Sequence, residues 1–374
     1  MLERVARSSG ANLYVTDRQS HSPNSRMTLG SFELFRFVAA FVVCISHAVP
    51  TVARHAADPG VVLFGGRLPP GGLAVQFFFV LSGFVMMTAH RGDFGKWKAP
   101  LHFWCRRAGR IYPAYWIALL IVCIYLAGAL NPLYGFRLFS LLPVDVNEFV
   151  VTAWTLRFEI AFYLVFGLCL LPAIGRPLLA GWIVLVVWAW FWPIVTATEA
   201  AKLPEAGFWS DVKYFVSFFN FYFFAGLLAG FMFSTQRVSA RVGCILSIGG
   251  VGAIVSLLPW TQWGDGYGIP LVMLLSAMAF GATLLGLASM ERAGTIRFGA
   301  ASSRLGAISY PLYILHVPLL LVFDLEAGGV KISVSGLYVA TVVVVLILIM
   351  ISAAVAFFID QPLQRMLRSL TPGT

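Results

Sequence analysis

Charge is what this 374-residue chain has least of: Asp, Glu, Lys and Arg make up 11% of it, against 59% hydrophobic residues. Soluble domains carry about 25% charged residues. A water-soluble globular fold is therefore excluded, and a mean hydropathy of +0.85 marks a polytopic membrane protein. Cysteine is also scarce. The five cysteines, Cys44, Cys105, Cys123, Cys169 and Cys244, are odd in number, lie in or beside apolar runs and form no CxxC. That pattern indicates neither a disulfide framework nor a zinc site, and no metal is expected. Residues 1–28 are polar, with no apolar core and no small-residue cleavage site, which makes them a poor signal peptide. They are expected to be a flexible tail. The internal inverted repeat that marks many transporters is missing as well. The net charge of +10 is read as a topology signal and not as affinity for nucleic acid.

What the chain does have is apolar runs. Ten of them approach the roughly 20 residues needed to cross a bilayer. They lie near 29–50, 71–90, 108–130, 150–172, 178–195, 211–233, 240–260, 268–290, 303–323 and 335–359. Turn signals fall between them, among them Asn131-Pro132, Gly175-Arg176-Pro177, Gly264-Asp265-Gly266 and Gly328-Gly329. The expected fold is all-α, a transmembrane bundle of about ten helices. Alternate connecting segments hold 18 Lys and Arg on one side of the membrane and 6 on the other, with Arg36 and Arg157 inside runs. Cytoplasmic loops collect basic residues, so the rich side is expected to be cytoplasmic, with both termini there. The expected organisation is a tail at 1–28, a transmembrane domain at 29–361 and a short cytoplasmic tail at 362–374.

The first run carries Glu33, Arg36 and His47. Ionisable groups inside a span are costly and are functional by default. Arg36 and His47 are eleven residues apart, about three turns, so they share one helix face about 16 Å apart. Their simpler reading is an Arg snorkelling to one headgroup layer and a His capping the other end. Further along, Ser82-Gly83 interrupt the second run, a pattern that close helix packing also explains. Gln76, in the same run, is a buried amide in want of partners. The stretch FWCRRAGRIYPAYW (103–116) gathers Arg106, Arg107 and Arg110 where the chain re-enters the membrane, with Lys96, Lys98 and His102 close by. Clustered guanidiniums bind phosphates, and they equally anchor a span to lipid phosphates. WTLRFEIAFYL (154–164) places Arg157 and Glu159 within a run, either as an internal salt bridge or as a working pair. In LGAISYPLYILHVPLL (305–320), Tyr310, Tyr313 and His316 recur every third residue and stripe one face.

Taken together, Arg36-x10-His47, FFFVLSGF (77–84), RRAGRIYPAYW (106–116), WTLRFEIAFY (154–163) and ISYPLYILH (308–316) resemble acyltransferase family three. These are integral membrane proteins that move acyl groups onto extracytoplasmic sugars and other acceptors. The motifs stand in the family's order from near residue 30 to residue 320. Two departures stand out: Gln76 where the family often has an acidic residue, and Thr155 where Ser is commoner.

The resemblance implies acetyl-CoA or another acyl-CoA as donor, presented from the cytoplasm, and a glycan or lipid-linked sugar as acceptor. It implies Arg106, Arg107 and Arg110 as donor-binding residues, with Arg36 deeper along the path. His47 is implied as general base or acyl carrier, with Glu159 as its charged partner. Ser82, Trp154, Tyr310, Tyr313 and His316 lie in the matched motifs as substrate contacts. The expected location is a bacterial inner membrane, in contact with membrane lipids. With no hydrolase-like domain after the last run, transfer is expected to be direct or handed to a separate extracytoplasmic partner. Two other readings stay open: a transporter or flippase using His47 and Glu159 as a proton relay, and acylation of a small molecule such as an antibiotic.

Overall fold

The computed structural model describes residues 29–68, 70–126, 135–144, 150–195, 208–260 and 270–370. The tail 1–28 and the turn signals at Asn131-Pro132 and Gly264-Asp265-Gly266 lie outside the described residues. Those described are helical, apart from connecting turns and an isolated bridge between Ala56 and Ile332. In chain order the helices are α1 (Gly30–Ala53), α2 (Gly71–His90), α3 (Ala99–Leu126), α4 (Gly135–Ser140), α5 (Ala153–Leu168), α6 (Gly175–Val195) and α7 (Phe208–Val216). There follow α8 (Phe219–Thr235), α9 (Ala240–Leu257), α10 (Pro270–Arg292), α11 (Ala300–Ala327), α12 (Val334–Val355) and α13 (Gln361–Leu370). A π-helical turn, Ala356–Asp360, joins the last two. Among the described residues seven helices, α1, α2, α3, α9, α10, α11 and α12, are long and apolar enough to cross a membrane. The other three apolar runs hold α5, α6, and α7 with α8, the run at 211–233 being broken at Ser217-Phe218. Among these α5 has 16 residues and α8 has 17, short of a full span.

The centre of the bundle is the pair α1 and α11, which run side by side in the same direction. Near their starts Glu33 packs on Gly306, where any Cβ would overlap its side chain. Near their ends His55 Nε2 meets Asp324 Oδ1 at 3.0 Å, and Arg54 joins the same carboxylate at 3.1 Å. The start of α1 is fixed by Glu291 from α10, whose carboxylate accepts from the Gly30 and Ser31 amides at 2.7 and 3.0 Å and from Ser31 Oγ at 2.6 Å. A carboxylate there satisfies helix donors that would otherwise be orphaned, and it complements the helix dipole. On the far side, α2 and α8 touch backbone to backbone. A Cβ at Gly83 would strike the Phe223 carbonyl, and one at Gly226 would strike that of Val80. The glycine after Ser82 is thus a packing residue, as small residues are at membrane helix contacts.

The shortness of α5 shapes the site. Its first turn meets α11 where Thr155 Oγ1 lies 2.7 Å from Tyr313 Oη. Tyr313 stands about 20 Å along α11 from Ala300, so α5 begins well inside the bundle. Residues 135–144 lie in the wall between α3 and α5, and side-chain donors from those helices take up their carbonyls. Tyr115 Oη donates to Leu138, Trp116 Nε1 to Phe139 and Tyr112 Oη to Ser140 at 2.5, 3.1 and 2.5 Å. Arg157, fully buried, donates to the carbonyls of Leu142 and Arg137. The carbonyls at the end of the short helix α4 and in the turn after it have no partner within their own helix, and at this depth they require such donors, because no water is available in hydrocarbon.

Candidate active site

Two groups of polar side chains lie along α1 and α11. The outer one is a histidine pair. His316 is completely buried, and its Nε2 lies 3.2 Å from Nδ1 of His47. His316 Nδ1 is 3.1 Å from the Leu312 carbonyl, and His47 Nδ1 is 3.0 Å from that of Val43. A carbonyl only accepts, so both rings carry their proton on Nδ1 when neutral. The His316 Nε2 lone pair then accepts from His47 Nδ1–H, a proton shared with Val43. This leaves His47 Nε2 as an unprotonated nitrogen on an exposed ring. The arrangement is that of a base oriented by a second group.

Around this pair, Tyr313 packs its ring 6.2 Å from His316 and 5.5 Å from Phe78. Thr155 Oγ1 donates to the Thr152 carbonyl at 2.9 Å, so the Tyr313 hydroxyl donates to Thr155. Tyr310 donates to the Ile111 carbonyl at 2.7 Å, tying α11 to α3. Trp154 stands partly exposed in the first turn of α5, its ring 5.5 Å from Phe219. Ser82 lies on α2 with its Oγ buried and without a hydrogen-bond partner.

The inner group is charged. Arg36 pairs with Glu33 at 3.4 Å. Arg107 lies over the rings of Phe103 and Tyr163, at 5.5 and 5.3 Å from their centroids. Glu159 accepts from the Tyr163 hydroxyl and lies in electrostatic reach of Tyr310 and Tyr313. Arg110 stands in reach of Glu33, Tyr163, Tyr310 and Asp360. Yet neither Arg106 nor Arg110 makes a hydrogen bond or ion pair among the described residues. From Tyr310 to His316 is six residues, about 9 Å along α11. The structure therefore brings His47 to His316, and gathers Arg36, Arg110 and Glu159 with Glu33 in a layer below them. Trp154 and Ser82 sit on neighbouring helices and make no hydrogen bond to either group among the described residues. Among the described residues no cluster of His, Cys, Asp and Glu is placed to hold a metal ion.

Sequence reasoning did not find the partnership of the two histidines, nor a role for Asp360. His316 was visible only as one member of a stripe on its own helix. Its partner is 269 residues away, and no local spacing encodes that. For Arg157 the signal was present, since an Arg inside an apolar run needs partners, but backbone carbonyls as the partners were not foreseen.

The sequence pattern of a family described as "Acyltransferase domain" matches residues 29–360, which covers every element of this site. The chain is 29% identical over 276 residues to the exopolysaccharide production protein ExoZ of Rhizobium meliloti (strain 1021), covering 67% of this chain and 77% of that one. It is 33% identical over 178 residues to protein 2 in the picA locus of Rhizobium radiobacter, covering 46% of this chain and 78% of that one. To acyltransferase MdmB of Streptomyces mycarofaciens it is 31% identical over 112 residues, covering 26% of this chain and 28% of that one. No solved structure matches the chain. The chain belongs to acyltransferase family three and is a multi-pass membrane O-acyltransferase.

Proposed function

We propose that the protein carries an acyl group, acetyl in the simplest case, from cytoplasmic acyl-CoA to a hydroxyl of an extracytoplasmic glycan. The observation that carries this reading is the histidine pair, set about 9 Å along α11 beyond Tyr310, at whose level Arg110 makes no hydrogen bond or ion pair among the described residues. The 18-to-6 distribution of Lys and Arg supports a cytoplasmic place for the arginine layer. Arg106 and Arg107 offer guanidinium forks to the phosphates of coenzyme A. The arm then runs past Arg110 toward the histidines and presents its thioester there.

His47 Nε2 takes the proton of an acceptor hydroxyl as its oxygen attacks the thioester carbonyl. The C–O bond forms, the C–S bond breaks, and the coenzyme A thiolate leaves and takes the proton from His47. While His47 is cationic, its Nδ1–H is held by His316 Nε2 and the Val43 carbonyl. A positioned base of this kind contributes about 10²–10⁴-fold in rate. Glu159 and Arg36 balance charge in the layer beneath. The name of the exopolysaccharide relative supports a polysaccharide or its lipid-linked precursor as acceptor. The relatives are bacterial proteins, which supports a place in a bacterial cytoplasmic membrane.

The test is transfer by purified protein in liposomes, given radiolabelled acetyl-CoA and envelope polysaccharide. The expected result is label on the glycan with one free thiol released per acetyl moved. Absence of any acceptor-dependent thioester cleavage, together with transport of a sugar across the same liposomes, would overturn the reading.

A further inference from the structure

Asp360 closes the π turn Ala356–Asp360, which packs against both α3 and α11. A π turn inside a helix is rare and marks functional positions more often than chance would. Here Phe358 is 81% exposed while Asp360 is 5% exposed. The Asp360 carboxylate is half used: Oδ2 accepts from Gln364 Nε2 at 2.9 Å, and Oδ1 is buried with no donor. A buried carboxylate oxygen left without a donor is costly, and natural sites rarely keep one without a use. In electrostatic reach of it stands Arg110, whose own donors have no partner among the described residues. The two are not an ion pair. One wall of this place therefore holds free donors and the other a free acceptor, with no bond between them.

A ligand that satisfies both walls must present an acceptor and a donor side by side. A phosphate offers Asp360 only repulsion. A secondary amide fits, with its carbonyl oxygen toward Arg110 and its N–H toward Asp360 Oδ1. The pantetheine arm of coenzyme A carries such amides between its phosphates and its sulfur. The position agrees with this order. Arg107 lies about 4.5 Å toward the arginine-rich end of α3 from Arg110, and His316 lies about 9 Å beyond Tyr310 in the other direction. We propose that Arg110 and Asp360 together grip an amide of the donor's pantetheine arm and so set how far the thioester reaches toward His47. The proposal rests on the acyl-CoA reading above.

The experiment measures equilibrium binding to the full chain in nanodiscs, using acetyl-CoA and adenosine 3′,5′-bisphosphate, which has the phosphates without the arm. Asp360→Asn is expected to weaken acetyl-CoA about tenfold, the scale of one charge-assisted hydrogen bond, and to leave the bisphosphate unchanged. Arg107→Ala is expected to weaken both. A second arm alters the ligand and leaves the protein intact: a coenzyme A analogue with methylene in place of each amide N–H is expected to bind the parent protein about tenfold less tightly. In Asp360→Asn the same analogue is expected to show no further loss. Equal weakening of acetyl-CoA and the bisphosphate by Asp360→Asn, or full affinity of the analogue for the parent, would overturn the amide grip while leaving the donor reading intact. Failure of the parent to bind acetyl-CoA at all would overturn both.

Discussion

His316 Nε2 accepts the Nδ1 proton of His47 across 3.2 Å, from a fully buried ring to an exposed one. The buried ring is fixed by its own helix, and it in turn fixes which nitrogen of the exposed ring carries the proton. On the proposed mechanism His316 acts as a positioning residue. His316→Ala is expected to lower the transfer rate by about tenfold to a hundredfold, the worth of one hydrogen bond to a charged group. The affinity for acetyl-CoA should stay as it was. Steady-state kinetics beside donor binding checks this, and a loss confined to donor affinity would contradict the assignment.

The arginine layer makes a separable prediction. Arg107→Ala or Arg110→Ala should raise the acetyl-CoA dissociation constant by about tenfold to a hundredfold, for the loss of about 1.5–3 kcal/mol. For Arg107→Ala the salt dependence of binding should shrink as well, since a phosphate contact is gone. Titrations at two ionic strengths in matched membranes read both effects. Unchanged affinity in both variants would leave the cluster as a topology anchor.

Orientation is tested by reporters. A fusion after Thr374, or one inserted at 91–98, should report from the cytoplasm, and one at 262–266 from outside, because 18 basic residues stand against 6. An external C-terminus would place the donor layer on the wrong side for coenzyme A.

Packing gives the fourth expectation. Gly226 approaches the Val80 carbonyl so closely that no side chain fits, whereas a Cβ at Gly181 meets nothing within 4 Å. Gly226→Val should destabilise by more than the usual cost of overpacking, about 1–3 kcal/mol, because backbone must separate from backbone. Gly181→Ala should be neutral or stabilising by about 0.5–1 kcal/mol, since Ala outranks Gly in a helix. Thermal unfolding in detergent, with the fraction of monodisperse protein, compares the two.

Much of the fold was legible because hydrocarbon imposes one rule, long apolar helices: nine of the ten apolar runs became one helix each, and the run at 211–233 became two, α7 and α8, broken at Ser217-Phe218. What periodicity does not register is depth. The run at 150–172 promised a span, yet α5 begins only at Ala153 and lies beside Tyr313, so it starts inside the bundle. Residues 138–142 line the wall, held by Tyr112, Tyr115, Trp116 and Arg157. Single-helix features of the site, such as Arg36 and His47 eleven residues apart, could be read directly from spacing. Contacts made between helices could not. Glu291 on Ser31, His316 on His47 and Asp360 near Arg110 each join residues more than 200 positions apart. Asp360 was further concealed by its π turn, which shifts the register that a helical reading assumes.

The central claim is that His47 Nε2 moves the acceptor proton. The most direct measurement is acyl transfer by His47→Ala in proteoliposomes, normalised to folded protein and paired with acetyl-CoA binding. The expected result is a folded, inserted protein that binds acetyl-CoA like the parent and transfers about 10²–10⁴-fold more slowly. Transfer at the parental rate would contradict the account and move the search for the base to Glu159 and His316.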